Sequence, residues 1–315
     1  MWKYMDQNQS QEFLLSLHLL HNQLSDKEKV KMLYSISNSI EENYNIIKIK
    51  KRNGSLRTIY QPHTNLKLIQ RQILKTILNN RSVSTYAKAY HKNIGLKDNA
   101  YPHVHQKRIL KLDIKDFFEH IQFIDVYNAC FSLAYFPQSI GHLLTQLCTY
   151  HGYLPQGAPT SAYISNLVMK EFDEQIGEWC ENKHICYTRY SDDMTFSGDF
   201  NPREVIQRVR KALYPLGLEI NNQKIHVIGN GQQQNVTGLV VNQKVQTSSR
   251  YRKKVRQAIY YMKKYGLESH LSAIQYQQSP QNYLHHLYGQ VQYILQINPL
   301  DQEFQSYQEY LKKIK

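Results

Sequence analysis

The chain of 315 residues is short of acid: 25 Asp+Glu stand against 39 Lys+Arg, for a formal net charge of +14. Such an imbalance says little about fold and much about partners, and polyanions lead the candidates. A membrane surface would attract the same charge, but no segment approaches the roughly 20 uninterrupted apolar residues that span a bilayer. The N-terminus lacks a basic leader before an apolar run. Its stretch Phe13-Leu14-Leu15-Ser16-Leu17-His18-Leu19-Leu20 is short, is followed by polar residues, and reads as a core-facing helix rather than a signal peptide. The four cysteines, Cys130, Cys148, Cys180 and Cys186, have no C-x-x-C spacing. That removes support for a zinc site or a disulfide framework and points to buried free thiols in a reducing cytoplasm. Internal repeats, low-complexity linkers and a clean domain break are missing too. Tryptophan is scarce at 2, whereas tyrosine reaches 25 and can pack its ring, offer a hydroxyl, or stack on bases and sugars.

What is present reads as helices with scattered strands, an α+β chain long enough for two or three packed layers or subdomains. Residues 11–40 predict two helices, the second opened by a capping box at Ser25-Asp26-Lys27-Glu28. Two strand-like runs around Asn53-Gly54 predict a hairpin with an unusually basic tip, and 66–78 carries helical spacing. Residues 83–108 are irregular, 109–114 reads as a buried strand, and helices fill 123–150. A Gly/Pro loop at 154–161 leads into one long helix over roughly 161–180. A hairpin follows with Asp192-Asp193 at its tip, then a helix at about 203–214, a strand region at 218–228 and a second hairpin at 235–245. From Arg250 onward the pattern is helical.

Two adjacent anions repel and cost stability unless a cation or strong donors compensate them, so alone the Asp pair reads as a solvated turn. Asp113 ends an apolar strand, where it serves as a helix N-cap or turn residue, or else meets a cation. Taken together, a strand-end Asp and an Asp from a neighbouring hairpin could hold two hard cations about 3.5–4 Å apart, activating a hydroxyl and stabilising a leaving pyrophosphate.

Leu112-Asp113 followed by Phe117-Phe118, then Leu154-Pro155-Gln156-Gly157-Ala158-Pro159-Thr160-Ser161, then Tyr190-Ser191-Asp192-Asp193, resemble reverse-transcriptase motifs A, B and C in order. Asn99-Ala100-Tyr101-Pro102-His103 resembles the N-A-x-x-H element, and Val236-Thr237-Gly238 the V-T-G element, of retron reverse transcriptases. The length, without maturase, protease or endonuclease segments, is also similar to retrons. Ser191 departs from the Ala usual in that family, with little consequence expected from so small a residue.

The resemblance implies a right-hand polymerase fold with an antiparallel palm sheet. N-terminal helices and fingers would take 1–110, interleaved with palm; palm would take 111–245, with a fingers portion at about 121–153; a helical thumb would take 246–315. It implies Asp113, Asp192 and Asp193 as catalytic carboxylates holding two Mg²⁺ ions, with the Ile114 carbonyl as an extra ligand. Since adjacent strand side chains face opposite ways, one of the pair, expected to be Asp192, would bind both ions.

Phe118 would be the steric gate against a ribose 2′-hydroxyl, although Phe117 and Phe118 could both be core. The Gln156-Gly157 loop would lie against nucleotide and template, and Arg57 would meet the triphosphate, with Lys50 or Lys51 as alternatives. Lys224 would protonate pyrophosphate or be a surface lysine. Asn99, His103, Val236, Thr237 and Gly238 would contact RNA, His103 alternatively making a structural hydrogen bond. Arg252, Lys253 and Arg256 would track phosphates from a thumb helix, against the bland reading of a solvated face.

The implied activity is RNA-directed DNA polymerisation, a nucleotidyl transfer from dNTPs. It would copy part of a cognate non-coding RNA from a guanosine 2′-hydroxyl, giving branched multicopy single-stranded DNA (msDNA). The implied setting is cytoplasmic antiphage defence with a separate effector protein and no membrane. Other bacterial reverse transcriptases (group II intron, diversity-generating or abortive-infection type) and a non-catalytic RNA-binding scaffold are the alternatives.

Overall fold

The computed structural model describes residues 5–20, 23–50, 54 and 56–314. Helices α1 (Gln7–Ser16) and α2 (Asp26–Asn38) both open on capping boxes. In the second, Ser25 Oγ accepts from the Glu28 amide while Glu28 Oε2 accepts from the Ser25 amide, as its spacing predicts. Strands β1 (Tyr44–Lys50) and β2 (Leu56–Pro62) pair antiparallel, from Tyr44↔Pro62 to Lys50↔Leu56. Of the predicted turn, Lys51, Arg52, Asn53 and Ser55 lie outside the described residues; Gly54 sits at φ +87°, as a tight hairpin requires. Helix α3 (Thr64–Thr76) buries Leu66, Ile69 and Ile73, the stripe read from the sequence.

The stretch read as irregular holds a short helix α4 (Leu96–Ala100) and a 3-10 turn at Tyr101–His103. Strand β3 (Arg108–Asp113) is buried over most of its length, and helices α5 (Phe117–His120), α6 (Phe123–Val126) and α7 (Gln138–Cys148) follow. The single helix expected over 161–180 is two, α8 (Ser161–Val168) and α9 (Lys170–Asn182). The backbone flattens to ψ 0° at Met169, which interrupts the helix there although the Met169 amide still donates to the Ser165 carbonyl.

Strands β4 (Cys186–Tyr190) and β5 (Asp193–Gly198) form the expected hairpin, followed by α10 (Pro202–Leu213). The strand expected over 218–228 shrinks to β6 (His226–Gly229). Asn221 captures the Gln223 amide and turns Asn222–Lys224 into a 3-10 helix, leaving Ile220 an isolated bridge to Ile114. The four-stranded sheet runs β4-β5-β3-β6. The second hairpin gains a third strand: β7 (Asn235–Val236), β8 (Leu239–Val240) and β9 (Gln246–Thr247) pair antiparallel. Its turn residues Thr237 and Gly238 both have positive φ, +45° and +85°, as a type I′ turn demands. Helices α11 (Ser249–Tyr265), α12 (Leu267–Ala273), α13 (Pro280–Ile297) and α14 (Gln302–Ile314) complete the chain.

Two compact units result. The first gathers Met1–Lys92, Leu110–Phe196 and Phe200–His226; the second gathers Asn93–Ile109, Ser197–Asp199 and Val227–Lys315. The first is built on one large core that includes Leu66, Leu112, Phe131, Ile164 and Phe196. The second has two clusters, one among α11, α13 and α14 (Val255, Leu287, Val291, Phe304) and one around β7 and β8 (Ala100, Ile109, Val236, Leu239). Cys130, Cys148 and Cys180 are buried free thiols, and Cys186 is half-buried. Among the described residues, no helix is long and apolar enough to cross a membrane.

Candidate active site

The first unit brings together the three carboxylates that the sequence singles out. Leu110 and Leu112 anchor β3 in the core, so Asp113 arrives at its end almost buried, 7 % exposed. The β4–β5 tip reaches this end through one backbone bond, the Ile114 amide donating to the Asp192 carbonyl at 3.0 Å. In extended chain a residue's N–H and C=O point to the same side, so the Ile114 carbonyl also faces the hairpin. On the other side the Asn221 amide donates to the Asp113 carbonyl at 2.8 Å, and the turn that follows delivers Lys224. Lys224 Nζ donates to both Asp113 carboxylate oxygens, at 2.7 and 2.8 Å.

The charges are tightly linked. Burial raises the Asp192 carboxyl above the ordinary range; Asp113 pushes the same way, while backbone and Ser191 hydrogen bonds and Lys224 oppose it. Burial likewise raises Asp193, with the Asp192 and Asp113 charges adding to it and Lys111 and Lys224 opposing. Lys224 is itself raised: desolvation would lower it, but the Asp113 hydrogen bond and all three carboxylate charges outweigh that. Three clustered, partly desolvated carboxylates form a donor set for hard divalent cations. Among the described residues, no three His, Cys, Asp or Glu side chains already converge as a metal cage. Asp113 is instead turned onto the Lys224 ammonium.

The hairpin is fixed from behind by residues that motif reading passed over. Arg189, wholly buried, donates from Nε and Nη2 to the two oxygens of buried Asp173 on α9, at 2.8 and 2.6 Å. It reaches Asn166 Oδ1 on α8 at 3.2 Å and the Ser191 carbonyl at 2.9 Å. The Tyr187 hydroxyl donates to Asp173 Oδ1 at 2.8 Å. An arginine within an otherwise uncharged strand was the available signal, because a charge on a buried strand requires a partner.

The Gln156-Gly157 loop docks on β2. The Tyr60 amide donates to the Gln156 carbonyl at 2.8 Å, and Gly157 takes φ +123°. A Cβ at Gly157 would lie 2.7 Å from the Tyr60 carbonyl oxygen and 2.8 Å from Ile59 Cγ2, so both conformation and space demand glycine. Strand alternation puts exposed Arg57 on the face of Ile59, the face this loop meets. The two phenylalanines divide: Phe117 is core at 3 % exposed, whereas Phe118 is half-buried with its ring against Phe117. Lys50 is exposed on β1.

In the second unit, Asn99 and His103 are buried. Asn99 Nδ2 donates to Thr237 Oγ1 at 3.3 Å and His103 Nδ1 bonds Ser197 Oγ at 2.7 Å, so the two retron-like elements are tied to each other inside the unit. Val236 is core, and Thr237-Gly238 is the β7–β8 turn. Arg252 and Arg256 on α11 pair at 2.6 Å with Asp301 and Glu303, and both lie over the Phe304 ring. They hold the helices together, while Lys253 is exposed.

The family model for reverse transcriptase (RNA-dependent DNA polymerase) matches residues 49–284. The chain is 34% identical over 226 residues to the retron Ec86 reverse transcriptase of Escherichia coli, covering 70% of each chain. It is 30% identical over 290 residues to the retron Mx65 reverse transcriptase of Myxococcus xanthus, covering 84% of this chain and 64% of that one. A Candida albicans telomerase solved in complex with a telomeric RNA fragment aligns with a TM-score of 0.46 at 9% identity, over 90% of this chain and 70% of that one.

Proposed function

Because the chain belongs to the reverse transcriptase family and is an RNA-directed DNA polymerase of the retron type, with that family's α+β polymerase fold, we propose that it copies part of a cognate non-coding RNA from a guanosine 2′-hydroxyl. The product is branched msDNA, and the system serves antiphage defence in the cytoplasm with a separate effector protein. The observation that carries the catalytic assignment is the Ile114–Asp192 backbone bond, which sets the Asp192-Asp193 tip beside Asp113.

Asp113, Asp192, Asp193 and the Ile114 carbonyl would hold two Mg²⁺ ions, which when bound lower the pKa of the attacking hydroxyl and neutralise the leaving pyrophosphate. Lys224, kept protonated by the carboxylates around it, restrains Asp113 before substrate arrives and is the acid for the leaving pyrophosphate. Arg57 on β2 takes the triphosphate of the incoming dNTP, and Gly157 lets the loop backbone lie close to it. Phe118, backed by buried Phe117, excludes the ribose 2′-hydroxyl. These parts make palm of the Asp-bearing strands and fingers of the β1–β2 hairpin, with α11–α14 as thumb.

On α11 the exposed residues Arg250, Lys253, Lys254, Tyr260, Tyr261, Lys264 and Tyr265 follow one another at helical spacing, without an acid among them. Lys264 lies over the Tyr260 and Tyr265 rings at 5.6 and 5.1 Å. Cations to follow phosphates and rings to stack on sugars or bases suit a template–primer duplex. This outer stripe, rather than Arg252 and Arg256, is the nucleic-acid face of the helix.

Primer extension on an RNA template tests the assignment. Asp192→Asn should remove extension while RNA retention persists, and undiminished extension would refute it. Sequencing nucleic acid that co-purifies with the full chain tests the retron reading: covalently branched RNA–DNA is expected, and unbranched product would point to another bacterial reverse transcriptase.

A further inference from the structure

The catalytic tip is held in a conformation that side-chain-bearing residues avoid. Ser191 sits at φ +63°, and such backbone persists where its surroundings over-determine it. Two contacts converge on this residue. Arg189 Nη1 donates to its carbonyl at 2.9 Å, and its hydroxyl shares a hydrogen bond with the Tyr90 hydroxyl at 2.8 Å. Tyr90 is itself in left-handed backbone, φ +63°. The segment before it is laid along β4: the Lys88 amide donates to the Arg189 carbonyl at 2.7 Å, the Arg189 amide to the Tyr86 carbonyl at 2.9 Å, and Asn166 Nδ2 to the Ala89 carbonyl at 2.8 Å. Segment 86–90 thus runs beside the hairpin strand and ends with the Tyr90 hydroxyl on Ser191. Tyr90 as a whole remains 43 % exposed, so burial alone does not account for its placement. The Ser191–Asp192 peptide that these contacts orient leads into both carboxylates of the pair, and the next carbonyl, that of Asp192, is the one bonded by the Ile114 amide.

We infer that Tyr90 is a positioning residue of the polymerase site. Its hydroxyl holds the Ser191 side chain while Arg189 holds the Ser191 carbonyl, and the two together fix the aim of Asp192 and Asp193. Tyr90 acts through Ser191 and touches no reacting atom. The kinetic consequence rests on the reverse transcriptase reading; the fixing of the tip does not.

The test uses the full chain with Tyr90→Phe, Ser191→Ala and the double variant. Each single variant should lower kcat for adding one dNTP to an RNA-templated primer about fivefold, the factor carried by one neutral hydrogen bond. KM for the dNTP should stay within about twofold, because nucleotide contacts are intact. The Mg²⁺ concentration for half-maximal rate should rise, and the double variant should match Ser191→Ala, which already lacks the Tyr90 bond and also loses the hydroxyl beside Asp192. Hydrogen exchange of the 191–193 amides should quicken in all three variants, read without any catalysis.

Unchanged exchange in both singles overturns the proposal. So does a loss in Ser191→Ala without one in Tyr90→Phe, a double variant that adds the two losses, or quickened exchange with kcat and Mg²⁺ dependence unmoved, which would make the bond merely structural. If the wild-type chain fails to extend any primer, the polymerase reading fails, and the exchange result still decides whether Tyr90 fixes the tip.

Discussion

Asp173→Asn perturbs the support of the catalytic hairpin without changing its volume. In the folded protein Asp173 and Arg189 are both wholly buried, with two hydrogen bonds joining guanidinium to carboxylate. Removing the negative charge leaves the guanidinium in the interior with only neutral acceptors, the one amide oxygen at position 173, Asn166 and the Ser191 carbonyl. Breaking such a pair from one side costs about 3–5 kcal/mol, because the surviving charge has lost both water and partner. Replacing both members, Asp173→Leu with Arg189→Met, removes the buried charge and should restore part of that stability, the rest being lost with the partners of the Tyr187 hydroxyl and Asn166 Oδ1. It leaves the Ser191 carbonyl without its guanidinium donor, so activity should not return with stability.

The assay is urea unfolding followed by tryptophan fluorescence with Trp2→Phe as background. Trp179, on the same helix as Asp173, is then the sole emitter of the two tryptophans. A loss below about 1 kcal/mol for Asp173→Asn, or a double variant as unstable as the single, would refute the desolvation argument.

His103 should give the second unit an acid-sensitive stability. Burial lowers its imidazole to about 3, well below the ordinary histidine range. A histidine held neutral in the fold contributes fully above its unfolded pKa, and stability falls as pH drops from there toward the folded value. The unfolded chain takes up the proton first, at about 1.4 kcal/mol per pH unit. His103→Gln should therefore show a shallower loss between pH 6.5 and 5 than the wild type, measured as urea midpoints, and equal slopes would contradict it. Phe118→Ala should raise ribonucleotide over deoxynucleotide incorporation by about tenfold or more with little loss of fold. Phe117→Ala, in the core, should instead cost about 3–5 kcal/mol and leave sugar choice alone. An unaltered incorporation ratio in Phe118→Ala would remove it as the gate.

The parts of this molecule legible in its sequence are those that local chemistry determines. The Ser25/Glu28 box, the period of α3, the β1–β2 pairing and the place of Asp113 at a strand end follow from residues within a few positions of one another. The misses are local departures of the backbone: it flattens at Met169 inside the long helix, and Asn221, capturing the Gln223 amide, folds a predicted strand into the turn that carries Lys224.

What no spacing could show is which distant groups converge. Arg189 stands out as the one charge of its strand, but nothing near it names Asp173, 16 positions earlier, as its partner, and Tyr90 lies 101 positions from Ser191 in a stretch without periodicity. The tail shows the same limit from the opposite side. Arg252, Lys253 and Arg256 are equivalent as a charge run, yet Asp301 and Glu303 take the two arginines, and Lys253 stays exposed.

Ser191 joins these lessons at the active site. Judged as a small residue in place of alanine, it is expected to have little consequence. Judged by its surroundings, its carbonyl and its hydroxyl are each bonded by a different segment, and its left-handed backbone turns β4 into β5. A tip so constrained holds two repelling carboxylates close to Asp113. The burial that disfavours their charge in isolation is therefore also what makes them strong partners for a cation.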